Sequence, residues 1–277
     1  EDVEREYAGI LSDFSERHWQ TECVFDERYS EVASAVRVRP RISDTRKRLI
    51  GAYFCHEYSY AAAAMMNPSV VEHPDQSGLF DMAVRFIMSM RAVGEGHISS
   101  IAFREGIVEP DGTFEIWPQP NVATATVLDK DQVNDGAVRI HRHPENTLSG
   151  TVIFPVTEQQ RNGLEDLRLL RFDHGGGDFE WIGTYTAFSG TDIRSELLRT
   201  RDFRGFTLGP IEGRAGRNKG MALFPEKIGD RYYMLGRQDG KNLYLLSSDR
   251  LDQWDDDGVL LLEPKYPWEF IQIGNCG

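Results

Sequence analysis

The chain has 277 residues, 40% hydrophobic and 11% aromatic, enough to bury a large core in one big domain or two ordinary ones and to exclude a disordered chain. A net charge of −13 argues against nucleic acid or an anionic membrane surface as partner, while leaving room for a local cationic pocket. The three cysteines, Cys23, Cys55 and Cys276, are odd in number and lack metal-site spacing, so a reducing, cytoplasmic compartment is expected. No apolar run approaches the ~18 residues of a membrane span, and no basic-then-apolar leader opens the chain. Glu1 is not an initiator and Gly277 stops inside a continuing pattern, which reads as a truncated chain.

Residues 1–36 place Tyr7, Ile10, Leu11, Phe14 and Trp19 at helical spacing among Glu and Arg. After Pro40, Ser43 is placed to cap a second helix, predicted to run through Leu49, Tyr53 and Tyr58 to the alanines of 61–64. Asn67-Pro68 is expected to stop that helix, because the residue before proline is pushed out of the α region. Residues 1–66 thus read as an amphipathic helical extension, a packing arm or a route to a homo-oligomer, and 67–277 as a second domain.

From residue 67 short strands dominate, rich in β-branched and aromatic residues and bounded by Gly, Asp and Asn. They are expected at Val84–Met90, His97–Phe103, Val122–Leu128, Val138–His141, Thr151–Val156, Arg168–Phe172, Trp181–Phe188, Arg231–Leu235 and Asn242–Ser247. Met88, Tyr185 and Met234 hold similar places in similar units, at spacings of about 50 residues or twice that, the signature of a β-propeller. Units near 90, 140, 185 and 235 are predicted, with a partial one starting near Trp268. A β-sandwich would also give short strands but would not explain the period.

Polar residues recurring at blade ends converge on a central pocket: Asn67, Arg91, His97, Ser99, Asp166, Arg168, Tyr185, Arg194, Asn218, Lys219 and Arg237. The excess of cations among them suggests an anionic ligand. At the centre stands Gly163-Leu-Glu-Asp-Leu-Arg168. On a regular strand Glu165 and Asp166 point to opposite faces, so one acid faces the pocket while its neighbour is held by backbone or by the arginine. That arrangement suits a single general acid. His141-Arg-His143 has no third ligand, so no metal is expected. Asp255-Asp-Asp257 reads as a solvated turn, Gly94-Glu-Gly96 precedes a strand rather than a helix, and no nucleophile elbow is present.

Several motifs in order resemble glycoside hydrolase family 130: Gly163–Arg168, Tyr185-Thr-Ala187, Asn218-Lys-Gly-Met-Ala-Leu-Phe-Pro-Glu-Lys227, Tyr233–Arg237, Ser247-Ser-Asp249 before Trp254, and Trp268 before Ile273-Gly274. The resemblance implies an all-β fold, a five-bladed β-propeller whose last blade is incomplete here, following the N-terminal helical extension. It also implies action on β-mannosides, mostly as inverting phosphorylases, with inorganic phosphate as co-substrate and no cofactor. By position the family's proton donor falls on Asp166, with Leu167 where Glu-Asp-Pro-Arg has proline. Asn67, Arg91, Asp166, Arg168 and Tyr185 would line the mannose subsite, and Lys219 and Arg237, joined by Arg194, would hold phosphate. Gln272 stands where the phosphorylases commonly carry lysine, which weakens a phosphate site.

Inversion needs an acid at the leaving oxygen and a nucleophile on the opposite face. Phosphate brings its own charge, so one acid plus a ring of cations is a sufficient set. A hydrolase on the same fold would need a second carboxylate to activate water, with Glu95 and Glu196 as candidates. A carbohydrate-binding propeller without turnover is the third reading.

Overall fold

A computed structural model describes residues 1–36, 41–80, 82–134 and 136–274, the side chains of 130–134 excepted; Pro40 and Cys276 lie outside the described residues. The chain divides into two compact units, Glu1–Tyr58 and Ser59–Gly277. No helix among the described residues is long and apolar enough to cross a membrane.

The first unit holds three helices, α1 (Asp2–Ser15), α2 (Thr21–Ala35) and α3 (Asp44–Tyr53). The helical pattern over 1–36 breaks at Gln20, whose φ of 57° no helix continues. Phe14 of α1 meets the buried Phe25 of α2 edge to face, with ring centroids 5.6 Å apart. Gly51 brings α2 and α3 together: a Cβ there would stand 1.9 Å from the carbonyl oxygen of Phe25. Ser43 caps α3 as predicted, its hydroxyl accepting from the Arg46 amide.

That helix ends at Tyr53, not in the alanine run. Alanine favours helix by propensity, but here tertiary pairing wins. The Ala63 amide donates to the Val93 carbonyl at 2.9 Å, and Ala61 packs against Ala92, Ala102 and Val152. Asn67-Pro68 accordingly stops no helix. It forms a bulge inside strand β1 (Ala64–Glu72), where the register shifts between Met66 and Ser69 and proline's missing N–H costs no ladder bond.

The second unit is built of antiparallel meanders, the blades of the expected all-β propeller. The first runs β1, β2 (Val84–Val93), β3 (Ser99–Val108) and β4 (Phe114–Ile116). After β5 (Thr124–Ala125), β6 (Val127–Asn134), β7 (Ala137–His141) and β8 (Thr151–Ile153) comes the second, β9 (Gly163–Gly175), β10 (Asp178–Phe188), β11 (Ile193–Thr200) and β12 (Gly205–Pro210). The third is β13 (Ala222–Leu223), β14 (Tyr232–Gly236), β15 (Leu243–Ser248) and β16 (Val259–Leu262).

The unit predicted near residue 140 is not a blade of its own. Its β6–β7 hairpin instead extends the second blade, β7 pairing with the open edge of β12 from Gly205 to Leu208. An unpaired strand edge is the nearest source of ladder bonds for a hairpin too small to stand alone. The strand ladders of the first two blades pair, among the described residues, at one parallel bridge, Ser99 to Gly163. Gly163 has φ 146°, and a Cβ there would meet the Ser99 amide nitrogen at 2.9 Å. One apolar cluster centres on Phe103, Trp181, Phe203 and Phe206; a second joins Phe172 and Ile182 to Met234 and Trp254 of the third blade.

Candidate active site

Asp166 does not follow the strand's alternation. In the β9–β10 ladder Glu165 pairs with Thr186 and Arg168 with Thr184, so Asp166 and Leu167 together oppose Tyr185. This is a β-bulge, with Asp166 at φ 55°. The extra residue defeats the period-two rule, and the expectation that the two acids face opposite sides fails for that reason. Both carboxylates turn to one guanidinium: Arg91 donates through Nη2 to Glu165 Oε1 at 2.8 Å and through Nη1 to Asp166 Oδ1 at 3.3 Å. Arg91 Nε donates to the buried Ser99 hydroxyl at 2.9 Å, which fixes the fork.

Asn67 completes the grip, its Nδ2 donating to Asp166 Oδ1 at 2.6 Å. It sits at φ 51° on the β1 bulge. Two residues on, the Ser69 hydroxyl accepts from the Leu169 amide at 3.0 Å and donates to the Leu169 carbonyl at 3.2 Å. A side chain thus stands in for a strand partner and pins β1 to β9. Leu167 fills the core beneath the bulge, at the place of the family's proline. The acid itself stays 29% exposed.

The arginine next to the acids, Arg168, does not hold them. Its Nη1 donates to the Gly220 carbonyl at 3.0 Å. Arg237 Nε donates to the Lys219 carbonyl at 3.3 Å. Gly220 at φ 83° leaves the space Arg237 occupies, since a Cβ there would lie 2.5 Å from its Nε. Asn218 holds the same loop: its side-chain oxygen accepts from the Lys219 amide, and its carbonyl accepts from the Ser195 hydroxyl at 3.0 Å. Arg168, Lys219 and Arg237 are therefore gathered on one loop, Asn218–Gly220. The Lys219 ammonium has no ion pair among the described residues, which leaves its charge available to an anion.

Three expected site residues go elsewhere. The Tyr185 side chain is buried rather than lining an open subsite, and its hydroxyl donates to Glu196 Oε2. Burial first, then the Glu196 charge, pushes its phenol well above the usual range, so it acts as a neutral donor. Arg194 turns to Glu196 Oε1, through Nε at 2.8 Å and through Nη2 at 2.5 Å, so its charge is already matched. His97 lies exposed on the β2–β3 turn at φ 59° and bonds to none of the other candidates among the described residues.

The second-carboxylate candidates fare poorly as bases. Glu196 is buried with both oxygens occupied. Glu95 is exposed and accepts from the Ser59 amide at 3.0 Å. Gln272 is exposed, and its neighbour Ile273 donates its amide to the Lys241 carbonyl. Gln160, which no spacing or motif singled out, joins the buried set: its Nε2 donates to Glu196 Oε2 at 2.7 Å and to the Tyr185 hydroxyl at 2.9 Å. His141 pairs with Asp129 at 2.7 Å, and no group of three or more His, Cys, Asp or Glu suited to a metal gathers among the described residues.

No family model matches the chain. It is 30% identical over 138 residues to the 1,2-β-oligomannan phosphorylase of Thermoanaerobacter sp. (strain X514), covering 47% of this chain and 43% of that protein. It is also 30% identical over 116 residues to the β-1,2-mannobiose phosphorylase of Listeria innocua serovar 6a, covering 39% of this chain and 30% of that protein. The chain thus matches less than half the length of either curated relative. A solved structure of the GH130 family of mannoside phosphorylases, which contains glycoside hydrolases targeting β-1,2 mannosidic linkages in Candida mannan, aligns with TM-score 0.41 at 16% identity, over 73% of this chain and 52% of that one. The similarity to these two phosphorylases, over part of the chain, agrees with the resemblance of the motif series to glycoside hydrolase family 130.

Proposed function

We propose that the chain is the catalytic part of an inverting phosphorylase of β-mannosides, with Asp166 as its one general acid. The observation that carries this reading is the pairing of one gripped, solvent-reachable carboxylate with a separate loop of cations, and with no second carboxylate free to activate water among the candidates. The β-1,2 linkage in both relatives' names makes β-1,2-mannobiose the first substrate to offer.

In the reaction an oxygen of phosphate attacks C1 of the mannosyl unit from the α face as the glycosidic C–O bond breaks on the β face. The leaving oxygen takes the bonding pair and a proton from Asp166. The products are α-mannose 1-phosphate and the shortened sugar. Asn67 and Arg91 hold the carboxyl in line, and Lys219 and Arg237, with Arg168, offer the phosphate charge-assisted donors. Arg194, matched by Glu196, is left out of the anion site.

Incubating the protein with β-1,2-mannobiose, with and without phosphate, tests the reading: mannose 1-phosphate is expected only with phosphate. Asp166→Asn keeps the side-chain shape and an acceptor for Asn67 but carries no transferable acid proton. It is expected to lose about 10²–10⁴-fold in turnover while still binding the sugar. Free mannose formed irrespective of phosphate, or an unimpaired Asp166→Asn, would overturn it.

A further inference from the structure

We infer that Gln160 is a positioning residue which, through Tyr185 and Glu196, fixes the bulge that presents Asp166; the inference builds on the phosphorylase reading above. A non-glycine residue at positive φ is disfavoured and persists only where its surroundings over-determine it. Asp166 is held from the front by Asn67 and Arg91. From behind, the bulge rests on Tyr185, the single residue opposing Asp166 and Leu167.

Tyr185 cannot shift, because its hydroxyl is locked at the meeting point of three segments. Glu196 lies directly opposite it on β11 and accepts its hydrogen bond. Gln160, on the turn before β9, donates to both. The orientation of the Gln160 amide is set by its other end, where Oε1 accepts from the Val156 amide at 3.1 Å. Both hydrogens of Nε2 and the oxygen are thus assigned, and a flipped amide would face Val156 N–H with N–H and Glu196 with oxygen. Gln160 and Glu196 are each 1% exposed, and Arg194 supplies the remaining donors to Glu196. A fully satisfied buried network of this kind is rigid, and it fails as a unit.

Gln160→Leu and Tyr185→Phe remove these hydrogen bonds with little change in volume. For β-1,2-mannobiose with phosphate, kcat is expected to fall about 100-fold, the loss that accompanies a misplacement of roughly 1 Å, with both KM values unchanged. A dinitrophenyl β-mannoside, whose leaving group departs without a proton, is expected to lose far less. The double variant should lose no more than the worse single one. Equal losses on both donors, or strictly multiplied losses in the double variant, would overturn the proposal.

A crystal structure of Gln160→Leu gives a readout that needs no turnover. Asp166 should leave positive φ or its 2.6 Å contact with Asn67 should open. A variant in which both features persist overturns the positioning role. Should Gln160→Leu fail to fold, Tyr185→Phe carries both readouts. A parent protein that turns over neither donor would end the phosphorylase reading, and the crystallographic comparison alone would then decide the role of Gln160.

Discussion

Replacing Arg91 by methionine keeps much of the side chain's apolar length and removes its charge. The guanidinium makes three hydrogen bonds, to Ser99, Glu165 and Asp166, at 2.9, 2.8 and 3.3 Å. The Glu165 bond is short and charge-assisted; the Asp166 bond is long and contributes less. Stranding a buried carboxylate costs about 3–5 kcal/mol. Here Glu165 is 15% and Asp166 29% exposed, so water recovers part of that. A loss of about 2–3 kcal/mol remains after this screening. Urea unfolding followed by tryptophan fluorescence reads this as a lower midpoint at unchanged slope. Since the cost lies in the two unmatched carboxylates, adding Glu165→Gln to Arg91→Met should restore about 1 kcal/mol. A single variant within about 0.5 kcal/mol of the parent would refute the reasoning, because it would mean that solvent already screens the site as an ordinary surface.

Gly51→Ala places a methyl 1.9 Å from the Phe25 carbonyl, so α2 and α3 must part; the helical unit should lose about 1–3 kcal/mol, read by circular dichroism on heating. Glu180 is pushed up by burial, but the hydrogen bonds and charge of Arg199, helped by His174, outweigh this and hold it below its ordinary value of 4.5. Its stabilisation is therefore complete above pH 4.5 and drains away as the pH falls further; the stability–pH curve of Glu180→Gln should be flatter than the parent's below that point, and parallel curves would count against the pairing.

Much of the fold is legible because strands and caps are local. β-branched and aromatic runs marked β2, β10, β14 and β15, and Ser43 marked the start of α3. The alanines before Asn67 misled because propensity is weak against a waiting strand edge at Val93. At the site, Asp166, Asn67 and Arg91 are brought together as the motif series implied. What the residues could not reveal is the bulge. One extra residue in a thirteen-residue strand leaves no composition mark, yet it turns Glu165 to the same side as Asp166. For the same reason Arg168, adjacent in sequence, ends at Gly220, while Arg91 arrives from another strand. Gln160 was invisible because a lone glutamine in a turn has no periodicity to betray its burial.

The hydroxyl of Ser69, which clasps both backbone groups of Leu169, has a consequence for how the molecule comes into being. The clasp joins residues 100 apart, and Trp181 reaches back 109 residues to the Glu72 carbonyl. A chain emerging N-terminus first can form the β2–β3 hairpin early, but β1 must wait on that side until β9 and β10 have been made. Closing so long a loop is slow relative to the local meander of β9 through β12. The partners of Asp166 therefore come together among the last steps of assembly. Until then Val71, which the finished core buries, stands open to solvent, and nascent chains paused before residue 169 should be the species that chaperones or proteases capture.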